Sequence, residues 1–370
     1  MRTSLRTGFD SIIGQEMAKR VLSRAVREGS PTHAYLFLGP EGSGKATTAV
    51  EFAKALNCEN PKDGNACGEC ALCRSIEHGN LPEVRIWSPD RKKQKQDTTI
   101  DQMREMREFA MLRPVRSRWK VNIVEEGDTL NEESSNCILK LLEEPPGYLV
   151  NILIFRNASN ALPTIRSRCQ LVRFTPVSTA ELVDRLLEDR GATNDQARFL
   201  GTYSQGCPGR AIRLMEDPTF FERRDAVADV AGQAATGNPW SALKLAEALR
   251  TGAGGSKAGS EPDSMEESDE PEPEDQPKRP KRAGRDTVLQ SLDMLLLWYR
   301  DLLATRLQGP NAAVVNVDRL DEISAQSVAY PHAGRLLGAI EAILEAKRII
   351  LGNGNPQIAT EALMIRILGN

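Results

Sequence analysis

The sequence predicts an α/β domain, with a parallel sheet covered by helices on both faces, followed by regions that are entirely helical. Up to Thr175-Pro176, apolar runs typical of buried strands alternate with helical patterns, and this alternation indicates a parallel sheet. A phosphate-binding loop follows the first of these runs, at residues 39–46. Beyond Pro176 only helical spacing remains, so the sheet is expected to end there.

The elements of the α/β domain follow from the spacing of their apolar residues. Residues 15–28 place Ala18, Val21, Leu22 and Ala25 on one face of a helix. The other predicted elements are a strand at 33–38, a helix at 45–57, a strand at 119–124, a helix at 131–143 and a strand at 149–155. We therefore assign residues 1–175 to this domain.

The rest of the chain is predicted to be helical. Helical patterns lie at 178–189, 194–204, 208–216, 217–235, 238–250, 287–307, 333–351 and 357–368. We expect a small lid domain at 176–216 and a helical collar or oligomerisation domain at 217–370. The segment 251–286 interrupts this collar: nine carboxylates lie between Glu261 and Asp275, ahead of a basic stretch. Such a segment buries too little apolar surface to offset its ordering entropy, so we expect a disordered linker.

The composition excludes several classes of protein. The 370 residues carry a net charge of −3, so no overall basic field attracts nucleic acid. No apolar run approaches the ~20 residues of a membrane span, and the N-terminus lacks the apolar stretch of a signal peptide. We expect a cytoplasmic protein, not bound to a membrane, whose seven cysteines are thiols or metal ligands rather than disulfides.

The loop at 39–46 reads Gly-Pro-Glu-Gly-Ser-Gly-Lys-Ala. In the pattern Gly-x-x-x-x-Gly-Lys-[Ser/Thr], backbone N–H groups hold phosphates and the final hydroxyl binds Mg²⁺. The residues expected to bind ATP are Gly39, Gly42, Gly44, Lys45 and Thr47. Because Ala46 offers no oxygen and Thr47 lies about 100° further round the helix, ATP hydrolysis and Mg²⁺ binding are both in doubt.

An acidic pair follows the second predicted strand. Glu125 would hold Mg²⁺ and Glu126 would orient the attacking water, as a degenerate form of the usual acidic pair. Glutamate in place of aspartate makes the metal ligand one methylene longer. Two solvated carboxylates at a strand end are the structural alternative.

Four cysteines lie within a short stretch of chain, at Cys58, Cys67, Cys70 and Cys73. Two Cys-x-x-Cys steps and one longer loop suit a closed tetrahedral zinc site, and four thiolates leave no open position for catalysis. Structural zinc is therefore expected, with free thiols or a redox pair as the alternative. Basic residues at 91–95 and 113–120 are interpreted as solvated loops, with weak phosphate contacts as the alternative.

Several motifs together resemble the AAA+ clamp-loader family. They are Phe9-Asp-Ser-Ile-Ile-Gly-Gln15, the phosphate loop, the acidic pair, Leu139-Lys-Leu-Leu-Glu-Glu-Pro-Pro146 and Leu162-Pro-Thr-Ile-Arg-Ser-Arg-Cys169. The resemblance covers residues 9–215. It implies that Arg168 acts in trans on the ATP of a neighbouring subunit, and that Asn157 senses the γ-phosphate. It also implies a second sensor near Arg210, although Gly209 stands where the family usually has arginine.

The resemblance implies a role in loading a sliding clamp onto primed DNA during bacterial replication by DNA polymerase III. Ala46, Glu125 and Gly209 all weaken ATP chemistry at the chain's own site, whereas Arg168 acts elsewhere. We therefore expect a largely non-hydrolysing subunit, partnered by tau/gamma ATPases and delta in a hetero-pentamer, with the clamp and primer–template DNA as further partners. An ATP-hydrolysing tau/gamma-type motor subunit is the alternative; a P-loop kinase would leave Arg168 unexplained.

Overall fold

The computed structural model describes residues 6–89, 100–235, 237–251, 281–309, 312–330 and 332–369. The chain divides into two compact units, Met1–Arg213 and Leu214–Asn370. Among the described residues, no helix combines the length and the apolar character needed to cross a membrane.

The first unit contains a five-stranded sheet in which every neighbouring pair is parallel. Its strands are β1 (Ala34–Leu38), β2 (Val84–Trp87), β3 (Lys120–Val124), β4 (Leu149–Phe155) and β5 (Gln170–Arg173). The order across the sheet is β2-β3-β4-β1-β5, so β1 is paired on both sides. The predicted α/β fold with a parallel sheet is confirmed.

Nine helices of the described chain accompany this sheet or follow it as far as the unit boundary. They are α1 (Glu16–Arg27), α2 (Lys45–Asn57), α3 (Ala71–Glu77), α4 (Ile100–Met111), α5 (Glu132–Glu143), α6 (Pro163–Arg166), α7 (Thr179–Arg190), α8 (Asn194–Tyr203) and α9 (Pro208–Glu216). The helices predicted at 15–28, 45–57 and 131–143 match α1, α2 and α5 within one residue.

Alternate residues of β1 point to opposite faces of the sheet and into two apolar cores. Tyr35 and Phe37 pack in the core that includes Phe52 of α2. Leu36 and Leu38 pack in the other core, with residues of α4, α5 and α6. Burial on both faces is typical of a parallel sheet and explains why its central strands read as continuous apolar runs.

Asn122 interrupts the apolar run of β3 because it belongs to a buried polar chain across the sheet. Its side-chain oxygen accepts a hydrogen bond from Trp87 Nε1 at 3.1 Å, and its amide donates to Asn151 Oδ1 at 3.1 Å. The Asn151 amide in turn donates to the carbonyl of His33 at 3.3 Å. A buried amide costs free energy unless it is paired, and here each partner lies on a neighbouring element.

The second unit is helical in its described residues. Its helices are α10 (Pro218–Ala235), α11 (Ala242–Thr251), α12 (Lys281–Gln308), α13 (Leu320–Val328), α14 (Ala333–Leu351) and α15 (Pro356–Gly369). The expected linker at 251–286 falls largely on residues 252–280, which lie outside the described residues. Its last part is corrected, because α12 begins at Lys281 and not at 287.

A buried carboxylate organises the second unit. Asp301 is fully buried and accepts hydrogen bonds from the backbone N–H groups of Val315 and Asn316, at 3.0 and 2.8 Å. The Asn316 side-chain oxygen accepts from the buried Arg224, which also forms an ion pair with Asp318 at 2.6 Å. The network therefore fixes the segment before α13 against α10 and α12.

Candidate functional site

The phosphate loop connects β1 to α2, as predicted. Gly39 follows β1, and its N–H donates to the carbonyl of Phe155 at 3.3 Å. Gly44 directly precedes α2 with φ +94°, a left-handed conformation that favours glycine. The loop therefore opens at the N-terminus of α2, where backbone N–H groups and the helix dipole attract phosphate.

Lys45 folds back onto its own loop. Its Nζ donates to the carbonyl oxygens of Gly39 and Pro40, at 2.5 and 2.6 Å. Burial lowers the pKa of Lys45 to about 8, an effect that the nearby Asp128 carboxylate partly opposes. A phosphate ligand would have to replace these two carbonyl contacts.

The residues after Lys45 differ in what they offer to a metal ion. Ala46 is half-buried and packs against the core that contains Tyr35 and Phe37. Thr47 is exposed and lines the cavity above the loop, whereas the Thr48 hydroxyl is buried and donates to the carbonyl of Gly44 at 2.8 Å. Thr47 thus carries the one hydroxyl of this tripeptide that reaches the cavity.

Three carboxylates line the cavity beyond β3, one more than the sequence analysis identified. Glu125 and Glu126 follow the strand directly, and Glu126 adopts a left-handed conformation with φ +49°. Asp128 was missed: it accepts hydrogen bonds from the Arg156 backbone N–H at 2.7 Å and the Asn160 amide at 2.9 Å. Its position two residues past the acidic pair was the available signal.

The cavity that contains these groups has a volume of about 470 Å³. One part of its lining is apolar and comes from the N-terminal segment, β4 and α9: Ile12, Ile13, Phe155, Pro208 and Ile212. The other part is the loop with Lys45. An apolar surface suits the base of a nucleotide, and a cationic surface rich in N–H groups suits its phosphates.

Gln15 connects the N-terminal segment to both the loop and the chain after β5. Its side-chain amide donates to the carbonyls of Ser43 and Thr175, at 3.2 and 2.7 Å, and its Oε1 accepts from the Thr175 N–H at 3.2 Å. The motif that ends in Gln15 therefore has a structural role in closing this side of the cavity.

Helix α9 contacts the loop through backbone atoms. The Gly209 N–H donates to the carbonyl of Gly42 at 2.7 Å. Arg210 is not among the described residues that line the cavity; its guanidinium lies 5.1 Å from the ring centroid of Tyr203. Arg213, one turn further along α9, lines the cavity instead.

Asn157 follows β4 but borders a neighbouring cavity, which Gly39 also lines. Its backbone N–H lies 3.4 Å from Asp128 Oδ1. Of the residues assigned to nucleotide binding, the structure thus groups Gly42, Gly44, Lys45 and Thr47 with the acidic pair at one cavity. It places Asn157 beside that group and turns Arg210 toward Tyr203.

Arg168 lies between α6 and β5, away from the described lining of the nucleotide cavity. Its side chain is 37% exposed. Nη2 donates to Glu143 Oε1 at 2.9 Å and Nη1 donates to the carbonyl of Thr164 at 3.1 Å. The guanidinium is therefore accessible and held at the surface by the last residue of α5.

The four cysteines assigned to zinc converge. The Sγ atoms of Cys58, Cys67, Cys70 and Cys73 all lie within 4.8 Å of one another. A tetrahedral zinc site with Zn–S bonds of about 2.3 Å needs sulfurs about 3.8 Å apart, so small shifts suffice. Burial alone would raise the pKa of Cys67, but N–H groups of Glu69 and Cys70 lower it to about 7, which favours the thiolate that binds metal.

The cysteine module is joined to the N-terminal segment and to α2. Asn65 Oδ1 accepts a hydrogen bond from the Phe9 N–H at 2.7 Å. The buried Lys54 of α2 forms ion pairs with Glu51 and with Glu77 at the end of α3. The module therefore lies against the α/β unit and on the α2 side of the sheet.

Comparisons with known proteins agree with the motifs. Residues 14–178 match the family described as "DNA polymerase III, delta subunit". The delta' subunit of DNA polymerase III from Bacillus subtilis is 28% identical over 355 residues, which cover 95% of this chain and 96% of that protein. In sequence, this chain is similar to subunits of DNA polymerase III. The resemblance noted from the sequence is thereby confirmed.

Other relatives match over a shorter span. The gamma/tau subunit of Mycobacterium tuberculosis (strain H37Rv) is 35% identical over 194 residues, which are 52% of this chain but 33% of that protein. The chain thus spans about a third of the length of these relatives. A solved gamma subunit-related protein from Thermotoga maritima is 18% identical, with 89% of this chain and 98% of that chain covered and a TM-score of 0.40.

Proposed function

We propose that this protein is a largely non-hydrolysing, stationary subunit of a clamp loader, which supplies Arg168 to the ATP site of an adjacent ATPase subunit. The adjacent subunit would use its ATP to load a sliding clamp onto primed DNA. The match to the delta' relative covers 95% of this chain, whereas the match to the gamma/tau relative covers 52%. This difference supports the assignment over a gamma/tau-type subunit.

The position of Arg168 is the observation that carries the proposal. The guanidinium is accessible, lies outside the described lining of the chain's own nucleotide cavity and has a carboxylate partner that is itself half-exposed. An exposed ion pair of this kind is weak, so a phosphate of the ATP bound to another subunit could replace Glu143 as the partner of Arg168. A planar, permanently charged guanidinium suits the charge that develops in phosphoryl transfer.

The chain's own cavity supports the same division of roles. Ala46 offers no metal ligand, and Gly209 places a backbone N–H where an arginine would be needed. If ATP binds, Lys45 and the loop N–H groups would hold its phosphates, and Thr47, Glu125 and Glu126 would be the oxygens that approach Mg²⁺. We therefore infer that ATP is at most bound here and hydrolysed poorly.

The remaining partners follow from the same proposal. The chain would assemble with tau/gamma ATPases and delta in a hetero-pentamer, meet the clamp and primer–template DNA through that complex, and operate in the cytoplasm. The helical second unit would serve as its collar, with residues 176–216 as the lid. Zinc bound by the four cysteines would be structural, because a Cys₄ set leaves no open position.

A motor subunit of the same complex is the second candidate, favoured by the higher identity of the gamma/tau relatives over about half of the chain. The two candidates differ in whether the chain's own site hydrolyses ATP, which turnover by the lone chain tests. The role of Arg168 is tested in a clamp loader reconstituted with this chain: Arg168→Ala should lower DNA-stimulated ATPase at the adjacent site at least tenfold, because an arginine finger contributes roughly 10³- to 10⁵-fold to turnover.

The matched control is Arg166→Ala, an exposed arginine two residues earlier on α6. It should leave the ATPase of the complex unchanged. Equal activity of the Arg168→Ala complex and the wild-type complex would exclude the proposed role. Both variants should assemble normally, which size-exclusion chromatography of the complex checks.

A further inference from the structure

A carboxylate of the phosphate loop itself forms ion pairs with two arginines of the nucleotide cavity. Glu41 lies between Gly39 and Gly42. Its Oε2 is 2.9 Å from Arg156 Nη2, and its Oε1 is 3.3 Å from Arg213 Nη2. All three side chains line the cavity of about 470 Å³ that contains Lys45.

The two arginines come from different elements and meet only at Glu41. Arg156 directly follows β4, and Arg213 lies on α9. Lys45 adds a third cation, and it too is bound by loop oxygens, the carbonyls of Gly39 and Pro40. Each of these three cations therefore has an oxygen of the loop as its partner.

We propose that Glu41 is an internal competitor for the phosphates of a nucleoside triphosphate. A carboxylate and a phosphate use the same guanidinium donors, so a ligand that recruits Arg156 and Arg213 must first displace Glu41. The negative charge of Glu41 also lies beside the path of an incoming phosphate. This inference rests on the proposed function, because it explains how a loop that keeps its glycines and lysine could serve a largely non-hydrolysing subunit.

The exposure of the three side chains sets the size of the effect. Glu41 and Arg156 are each 53% exposed, and Arg213 is 62% exposed. Ion pairs this exposed are individually weak and are screened by salt. Removing the carboxylate should therefore tighten ATP binding roughly 3- to 10-fold at low salt, a gain that shrinks as salt is added.

The test is an ATP titration of the full chain by calorimetry, for wild type and Glu41→Gln. Glu345→Gln is the matched control, because Glu345 is half-exposed and forms a 2.7 Å ion pair with Arg366 in the second unit. Glu41→Gln should bind more tightly than wild type, and Glu345→Gln should not. Affinity that is unchanged or weaker in Glu41→Gln, or binding by neither protein at millimolar ATP, would overturn the inference.

A second pair of variants separates competition from simple repulsion. In a protein that also carries Arg156→Ala and Arg213→Ala, the gain in ATP affinity from Glu41→Gln should largely disappear. The two arginines that the Glu41→Gln substitution would release are then absent. A gain of full size in that background would overturn the proposed competition. Glu41→Ala provides a second neutral side chain, and thermal unfolding confirms that each variant is folded. The Arg168→Ala assay of the complex measures a different site, so its failure is distinguishable from failure of this inference.

Discussion

The backbone N–H of Gly209 lies 2.7 Å from the carbonyl oxygen of Gly42, so α9 contacts the phosphate loop directly, with no side chain between them. A Cβ atom added at Gly209 would stand 3.1 Å from that carbonyl oxygen and 3.3 Å from Gly42 Cα. Glycine therefore suits this close approach, and the sensor arginine that the family usually has at this position would require the loop or α9 to shift by a few tenths of an ångström.

We accordingly expect that Gly209→Arg does not restore ATP turnover. The added side chain should push α9 away from the loop and lower the free energy of unfolding by about 1–3 kcal/mol, as overpacking typically does. Urea unfolding and phosphate release measure the two effects. Gly147→Arg is the control, because a Cβ there meets nothing within 4 Å. A stable Gly209→Arg protein that hydrolyses ATP would contradict the role given to this contact.

The lone chain should hydrolyse ATP no faster than its Lys45→Ala variant. Ala46→Thr should not raise turnover, because Ala46 is half-buried against the core and Gly209 still presents no arginine. Phosphate release from the purified chain provides the measurement. Turnover near 1 s⁻¹ that Lys45→Ala abolishes would instead indicate a motor subunit.

The central elements could be predicted from sequence because their burial leaves a clear pattern. β1 and β4 are fully buried and were located almost to the residue. The edge strands β2 and β5 were missed, since Arg85, Ile86 and Leu171 are exposed and no apolar run marks them. Mixed patterns are expected at the edges of a sheet, where one side of the strand faces solvent.

The candidate site shows a similar limit. The family resemblance implied a second sensor near Arg210, but the rotation of α9 directs Arg213 to the cavity and Arg210 to Tyr203. Two residues three apart on a helix differ by about 60° in direction, and sequence alone does not set which one faces a ligand. The four cysteines were predictable because their spacing already implies convergence.

Removing one cysteine of the module should release the metal. We expect the purified protein to contain about one zinc per chain and Cys70→Ser to contain almost none. Cys70 also caps α3, since its sulfur accepts the Cys73 N–H at 3.4 Å, so the variant should unfold at a lower temperature. Elemental analysis and thermal unfolding test both points, with Cys137→Ser as the control that retains zinc. Metal-free wild-type protein of full stability would disprove the zinc assignment.

Acylation of Lys45 should begin at a lower pH than acylation of an exposed lysine. Burial lowers its pKa to about 8, so about half of the amine is neutral at that pH, compared with well under 1% for an ordinary lysine with a pKa near 10.4. Trace labelling with acetic anhydride, followed by mass spectrometry, would compare Lys45 with the exposed Lys62. The labelling of Lys45 relative to Lys62 should fall as the pH is raised above 10, where ordinary lysines also lose their proton.

ATP should protect Lys45 from labelling if its phosphates replace the carbonyls of Gly39 and Pro40. The Glu41→Gln protein should be protected at lower ATP concentrations than wild type. The same pH dependence of labelling for the two lysines would show that the cavity does not hold Lys45 in the environment described.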